Sequence, residues 1–275
     1  MRRVDGRDSS VGGVLRELSA EVSLLNRADG SASWSQDRTS ILAAVYGPRE
    51  VPARKEIQGK CVIEVVVRPR SGVPGDRERE LEASLSGVLE QLVMTALHPR
   101  SLLSVIVQLL EEDGSVMAAC LNAVMLALLD AGVPTRGIVG ACTVGVWPAA
   151  ASEGTQAEAM DVEGEAEGTK AEEGVHFLVD PTAVEEKDCV SVHTGVYLIS
   201  REGDVQASLM QHHMGSGFTA GRVLRGWQIC GTACVQIVDF MRTLTQQRIQ
   251  ATASSSAATP KSRSRQSKGS KKKRR

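Results

Sequence analysis

The chain has 275 residues and a formal net charge of −1, with 42% hydrophobic but only 3% aromatic residues. This length and apolar content suffice for one large domain or two small ones, with a core that Val, Leu and Ala must fill. There is no apolar run of about 18 residues and no apolar stretch of signal-peptide type near the N-terminus, so we expect a soluble intracellular protein rather than a membrane-spanning or secreted one.

The first third of the chain predicts strands followed by a helix. Residues 22–25, 41–46 and 62–67 are short β-branched runs, and the Gly-containing segment 27–31 favours a hairpin between the first two. We expect an antiparallel meander. Residues 76–97 carry an apolar stripe at helical spacing, which ends ahead of Pro99 because a residue before proline disfavours the helical conformation.

Strands and helices alternate in the rest of the chain. The pattern predicts a strand at 102–110, a helix at 116–131, strands at 138–146, 175–179 and 191–200, and a final helix at 217–247. Gly132 is placed to close the helix before it. The whole string predicts a single folding unit of the α+β class, with a mixed and antiparallel sheet flanked by helices.

Two segments of opposite charge are predicted to be disordered. Residues 149–174 are acidic, rich in Gly and Ala, and free of aromatic residues, which is typical of a disordered surface insertion. Residues 248–275 contain a Ser/Ala/Thr linker and then the basic run KSRSRQSKGSKKKRR. Such a tail is typical of a nuclear import signal or a non-specific nucleic-acid contact, and a merely solubilising tail is the alternative.

The residue types that bind metals are not arranged as metal sites. The six cysteines are spread through apolar segments without a Cys-x-x-Cys pair, which predicts reduced, buried thiols. His212 and His213 are adjacent and point in different directions, and His176 and His193 lie in predicted strands. We therefore predict neither a metal site nor a cofactor.

The Asp113-Gly114-Ser115 turn connects a predicted strand to a predicted helix. Such a turn forms a natural anion pocket, because unpaired helix N–H groups and the helix dipole point at whatever lies there. A phosphate-handling enzyme would need Arg, Lys or Thr where Val116 and Met117 stand. The sequence therefore predicts a phosphate-enzyme scaffold without its phosphate clamp.

A series of short motifs makes the chain similar to the RNase PH family. The most specific are Tyr-Gly-Pro at 46–48, Leu-Asn-Ala at 121–123 and Asp-Ala-Gly-Val-Pro at 130–134. The resemblance covers residues 15–247 apart from the acidic insertion, so residues 1–14 become an N-terminal extension. It implies an RNase PH-like fold, related to domain 2 of ribosomal protein S5, built from two β-α halves. Family members pair head to tail and form hexameric rings around a pore.

The resemblance also bears on activity. Active family members degrade RNA from its 3′ end with inorganic phosphate as the attacking group. Their phosphate-holding Thr and Arg correspond to Val116 and Met117, and their two acidic positions fall near Glu186 and Val192, with Asp188 available if the register shifts. The resemblance implies a catalytically inert chain, and an active phosphate-dependent 3′-to-5′ exoribonuclease that uses the remaining side chains and backbone amides is the alternative.

Four arginines are candidates for binding RNA at the pore: Arg68, Arg70, Arg77 and Arg79. The resemblance places Arg77 where the family has an arginine that grips phosphate. Contacts from such arginines to the RNA backbone would be independent of sequence and sensitive to salt, and they need no aromatic platform. The alternative is a solvated helix face, because alternating charges are common at helix starts.

The implied role is that of a non-catalytic ring subunit of the RNA exosome. This role covers 3′-to-5′ RNA processing and degradation, including ribosomal RNA maturation and mRNA decay, in the nucleus, the nucleolus and the cytoplasm. The implied partners are other RNase PH-type subunits, S1/KH cap subunits and RNA, with no membrane. We expect strand 102–110 to offer an exposed edge to the neighbouring subunit. A free RNA-binding chaperone that acts through the basic tail is a third hypothesis.

Overall fold

The computed structural model describes residues 14–148, 175–216 and 219–257. The acidic insertion predicted at 149–174, nearly all of the N-terminal extension and the basic tail beyond residue 257 lie outside the described residues. The chain divides into two compact units, residues 1–239 and 240–275. Among the described residues, no helix has both the length and the apolar character that crossing a membrane requires.

The first sheet has five strands in the order β1-β2-β3-β5-β4. They are β1 (Leu18–Val22), β2 (Gly30–Gln36), β3 (Thr39–Glu50), β4 (Val62–Arg68) and β5 (Ser101–Glu111). All neighbours pair antiparallel except β4 and β5, which are parallel. Helix α1 (Asp76–Leu92) forms the crossover that a parallel pair requires, and a short 3₁₀ turn at Thr95–Leu97 follows it.

The second sheet has four antiparallel strands in the order β7-β6-β8-β9. They are β6 (Ile138–Pro148), β7 (Val175–Val179), β8 (Ser191–Ile199) and β9 (Val205–Gly215). The short helix α3 (Ala183–Asp188) connects β7 to β8, and the long helix α4 (Ala220–Ala257) follows β9.

Helix α2 (Val116–Ala131) lies at the centre of the first unit, in contact with β2 and β3 of one sheet and β6 and β8 of the other. A helix that is apolar on all sides is stable only when it is buried, and α2 is buried along most of its length. Asn122 is the polar exception. Its side-chain NH₂ donates to the Ala141 carbonyl at 3.0 Å, and its side-chain oxygen accepts from the Ala141 N–H at 2.9 Å. These two bonds explain why the Leu-Asn-Ala motif has an asparagine at a buried position.

The cysteines are free thiols, and all are buried except the half-buried Cys189. In α4, Cys230 Sγ lies 3.7 Å from the Cys142 carbonyl oxygen, and Cys234 Sγ lies 3.8 Å from that of Gly195. Burial raises the pKa of Cys120 and of Cys230 to about 12. The prediction of reduced, buried thiols is confirmed for five of the six.

The α+β fold class is confirmed, but several boundaries differ from the prediction. The strand predicted at 22–25 is wrong beyond its first residue, because β1 is Leu18–Val22 and Ser23 has a positive φ of 56°. The hairpin predicted between that strand and the one at 41–46 is also wrong, because β2 lies between β1 and β3 and pairs with both. Helix α1 stops at Leu92, where Val93 turns extended. The final helix runs from Ala220 to Ala257 rather than over 217–247. Three further elements were not predicted, namely β2, α3 and β9.

The expected exposed edge of strand 102–110 is wrong. That strand is β5, and it lies between β3 and β4, so both of its edges are already hydrogen-bonded. The outer strands of the two sheets are instead β1, β4, β7 and β9. The hydrophobic character of residues 102–110 therefore reflects a central strand, because a strand paired on both sides carries apolar residues more often than an edge does.

Candidate active-site pocket

A pocket of about 680 Å³ lies where the N-terminal end of α2 faces α3 and the adjoining ends of β8 and β9. Val116 and Met117 line it from α2, Glu186 from α3, Val192 from β8 and Arg77 from the first turn of α1. These are the positions at which the family resemblance placed the phosphate and acidic groups. The fold thus brings together residues that are 115 positions apart in the sequence, from Arg77 to Val192.

The Asp113-Gly114-Ser115 turn forms one wall of the pocket and packs tightly on the start of α3. Gly114 has a φ of +77°, and a Cβ atom there would lie 2.5 Å from the Pro181 carbonyl oxygen. Asp113 Oδ1 accepts a hydrogen bond from the Ala183 N–H at 3.1 Å. The turn and α3 are therefore held in one geometry.

A buried ion pair contacts this turn on the side away from the pocket. Arg16 Nε donates to Asp180 Oδ2 at 2.9 Å and Arg16 Nη2 to Asp180 Oδ1 at 2.6 Å, and the two side chains are 1% and 2% exposed. Arg16 Nη1 also donates to the Asp113 carbonyl oxygen at 2.7 Å and Nη2 to that of Gly114 at 3.4 Å. This pair ties the turn before α2 to the turn after β7, and sequence reasoning did not find it.

The Glu186 carboxylate reaches across the pocket to the N-terminal end of α2. Its Oε1 accepts a hydrogen bond from the Ser115 N–H at 2.6 Å. Burial raises the pKa of Glu186 above its usual value, and the hydrogen bond from Ser115 offsets part of that rise. The anion pocket that the turn predicts therefore exists, but a side chain of the same protein already occupies part of it.

Two of the basic side chains that line the pocket, Arg77 and His212, lie beside carboxylates, and Lys187 lines it as well. Arg77 Nη1 lies 2.8 Å from Glu112 Oε2, and its side chain is 62% exposed. His212 Nε2 lies 3.3 Å from Glu80 Oε1. Val116 and Met117 present only apolar side chains at the helix start. The arrangement offers an incoming phosphate few free positive charges.

The four predicted RNA-binding arginines do not form one cluster around the pocket. Arg77 lines it, whereas Arg79 lies 3.1 Å from Asp76 with its side chain 73% exposed. Arg68 ends β4, Arg70 follows in the next loop, and both are exposed. Their contact with RNA stays a prediction, and the Arg79–Asp76 pair has the geometry of the solvated face considered as the alternative.

Two of the five histidines, His193 and His213, form a pair. His193 and His213 face each other across β8 and β9, with their Nδ1 atoms 2.6 Å apart, and Ser191 Oγ lies 3.2 Å from His193 Nε2. Within residues 14–148, 175–216 and 219–257, no three His, Cys, Asp or Glu side chains are grouped closely enough to hold a metal ion.

This pair should make stability depend on pH. Burial and the neighbouring His213 lower the pKa of His193 from 6.5 to about 4. Between those values the unfolded chain binds a proton that the folded chain refuses, so stability falls as pH decreases from 6.5 to 4, on the order of 2 to 3 kcal/mol from this group. Urea unfolding at several pH values gives the free energy of unfolding as a function of pH. Between pH 4 and 6.5 this free energy should change less with pH for His193→Gln than for the unchanged protein. An equal pH dependence for the two proteins would contradict the role of His193 in it. The control is His176→Gln, because His176 is exposed.

The fold and the pocket define a class of protein. Two β-sheets around a buried helix, with a pocket at the N-terminus of that helix, form an α+β domain. Residues 14–134 match the model of RNase PH, the 3′ exoribonuclease family, domain 1. The crystal structure of Rrp46 from rice (Oryza sativa) superimposes with a TM-score of 0.74 at 30% sequence identity, over 89% of this chain and 100% of that chain. The chain belongs to the RNase PH family.

Curated relatives agree with this assignment. The exosome complex exonuclease RRP46 homolog of Arabidopsis thaliana is 38% identical over 133 residues, which cover 48% of this chain and 56% of the relative. The human exosome complex component RRP41 is 37% identical over 154 residues, which cover 52% of this chain and 62% of the relative. The chain thus spans between 56% and 62% of the length of these two relatives.

Proposed function

We propose that this chain is a non-catalytic RNase PH-type ring subunit of an RNA exosome and supports 3′-to-5′ RNA processing and degradation. The proposal rests on the start of α2. There Val116 and Met117 line the pocket, and the Glu186 carboxylate accepts the hydrogen bond from the Ser115 N–H. The relatives named as exosome components support the assembly part of the proposal.

The chemistry of phosphorolysis explains why this pocket is unsuited to it. Attack by phosphate requires a cationic pocket for the attacking group and for the charge that develops in the transition state. Loss of a single electrostatic donor of this kind typically removes about 3 to 4 kcal/mol of transition-state stabilisation. Val116 and Met117 supply no such donor, and Val192 stands at one of the two acidic positions. The pocket therefore lacks the phosphate-binding side chains and one of the two acidic side chains.

The work of such a subunit is structural. It completes a ring with other RNase PH-type subunits, contacts S1/KH cap subunits and lines part of the channel through which RNA passes. Arg68, Arg70, Arg77 and Arg79 would contact the RNA backbone there, because all four are exposed. We propose roles in ribosomal RNA maturation and mRNA decay, in the nucleus, the nucleolus and the cytoplasm.

The alternative function is an active phosphate-dependent 3′-to-5′ exoribonuclease. Two observations favour it: Arg77 and Glu186 line the same pocket, and Lys187 also lines it. In this mechanism Arg77 and backbone amides would hold phosphate, and Glu186 or Asp188 would move the proton. The third hypothesis, a free RNA-binding chaperone, is tested by removal of residues 261–275, which would abolish RNA binding only if the tail carries it.

A phosphorolysis assay distinguishes the first two functions. Purified protein is incubated with a single-stranded oligoribonucleotide, magnesium and inorganic phosphate, and nucleoside diphosphates are measured. We expect no phosphate-dependent product, because the pocket has no phosphate clamp. The Val116→Thr/Met117→Arg variant is assayed beside it, and any product from that variant would localise the defect to the start of α2. Phosphate-dependent shortening by the unchanged protein would overturn the proposed function.

A further inference from the structure

The contact between Glu186 and α2 has the geometry of a bound anion. Helix α2 is 16 residues long, and its macrodipole favours negative charge at its N-terminal end. Glu186 Oε1 lies 2.6 Å from the Ser115 nitrogen, which is the short distance of a charge-assisted hydrogen bond. The carboxylate therefore takes the place that an inorganic oxyanion would take at this turn.

The helix that carries Glu186 is held firmly in place. Thr182 and Glu185 form a capping box, in which the Thr182 N–H donates to Glu185 Oε2 at 3.0 Å and the Glu185 N–H donates to Thr182 Oγ1 at 3.4 Å. The bond from the Ala183 N–H to Asp113 ties α3 to the turn before α2. Since both ends of the contact are fixed, Glu186 reaches Ser115 without ordering a mobile segment.

The charge of the pocket adds to this occupation. Among the described residues that line it, Arg77 and Lys187 are positive, whereas Glu80, Glu112 and Glu186 are negative. If His212 is left out of the count, the lining side chains carry one more negative than positive charge. Arg77 is already paired with Glu112 at 2.8 Å. An oxyanion that enters would displace one carboxylate and approach two others, which electrostatic repulsion opposes.

We propose that Glu186 is an internal ligand of the α2 N-terminal turn and excludes inorganic oxyanions from the pocket. This inference deepens the proposed function and rests on it for its biological meaning. It gives a cause of inactivity that is independent of Val116 and Met117, because the Glu186 carboxylate would compete with phosphate even if both side chains were restored. The Val116→Thr/Met117→Arg variant should accordingly regain less phosphate binding than the same variant with Glu186→Ala added.

The test is the affinity of the full chain for inorganic phosphate, measured by isothermal titration calorimetry. Glu186→Ala removes both the charge and the hydrogen-bond acceptor, and we expect its dissociation constant for phosphate to fall at least about tenfold below that of the unchanged protein. Glu186→Gln keeps an acceptor oxygen without the charge, so its affinity should lie between the two. Glu202→Ala, at an exposed turn outside the pocket, is the matched control and should leave the affinity unchanged.

The inference is overturned if both Glu186 variants bind phosphate no more tightly than the unchanged protein, or if Glu202→Ala gains as much affinity as they do. Glu186→Gln preserves the bond to Ser115, so the comparison stands even if Glu186→Ala fails to fold. The proposed function fails by a different result, which is diphosphate release by the unchanged protein. A Glu186 variant that gains phosphate affinity but releases no diphosphate supports both.

Discussion

Replacement of Arg16 by Leu is expected to lower the free energy of unfolding by about 3 to 5 kcal/mol. The reason is the buried pair with Asp180, whose two side chains are 1% and 2% exposed. Removal of one partner leaves the Asp180 carboxylate without its counter-charge in the interior, which costs far more than loss of an exposed pair. The guanidinium also donates to the Asp113 and Gly114 carbonyl oxygens, and these acceptors lose their donor. Urea denaturation followed by circular dichroism measures the loss.

The matched control is Arg79→Leu, which breaks an ion pair with Asp76 at the surface. There the side chains are 73% and 99% exposed, so we expect a loss of at most about 1 kcal/mol. The Arg16→Leu/Asp180→Leu double variant should be more stable than the sum of the single losses predicts, because no unpaired charge remains. Equal losses for Arg16→Leu and Arg79→Leu would show that the buried pair does not hold the turn.

The difference between what the sequence predicted and what it missed follows from the range of the interactions. Helix α2 was predictable because its apolar run and the closing Gly132 are local signals. Strand β2 reads GSASWSQ and has no β-branched residue, so its strand character comes from its position between β1 and β3 and from the close approach of α2 at Gly30. That information is tertiary, and no local pattern contains it.

The same distinction applies to the site. The resemblance placed Val116, Met117 and Glu186 at corresponding positions, and the fold brings them to one pocket. The Arg16–Asp180 pair was beyond sequence reasoning, because its members are 164 residues apart. Both residues stand in short motifs of the family resemblance, Leu15-Arg16 and Val179-Asp180-Pro181-Thr182, but those motifs do not show that the two side chains meet. The bond from Ser115 to Glu186 was missed for a related reason, since it depends on how α3 lies against α2 rather than on either segment alone.

Replacement of Gly114 by Ala is expected to cost about 2 to 5 kcal/mol, for two reasons that add. A non-glycine residue at a φ of +77° adopts the left-handed conformation, at about 1 to 2 kcal/mol. The new Cβ would also lie 2.5 Å from the Pro181 carbonyl oxygen and 2.7 Å from the Ala183 nitrogen, which are backbone atoms and cannot rotate away. Overpacking of this kind typically costs about 1 to 3 kcal/mol or more. Urea denaturation of the purified variant measures the total.

The opposite end of α2 provides the comparison that separates the two causes. Gly132 has a φ of +68°, but a Cβ there would have no heavy atom within 4 Å, so Gly132→Ala should show only the backbone cost of about 1 to 2 kcal/mol. The difference between the variants is then the cost of pushing the Asp113-Gly114-Ser115 turn away from α3. Similar losses for the two variants would mean that α3 moves aside easily. In that case the fixed position of Glu186 at Ser115 would lose its structural basis, because the same packing holds both.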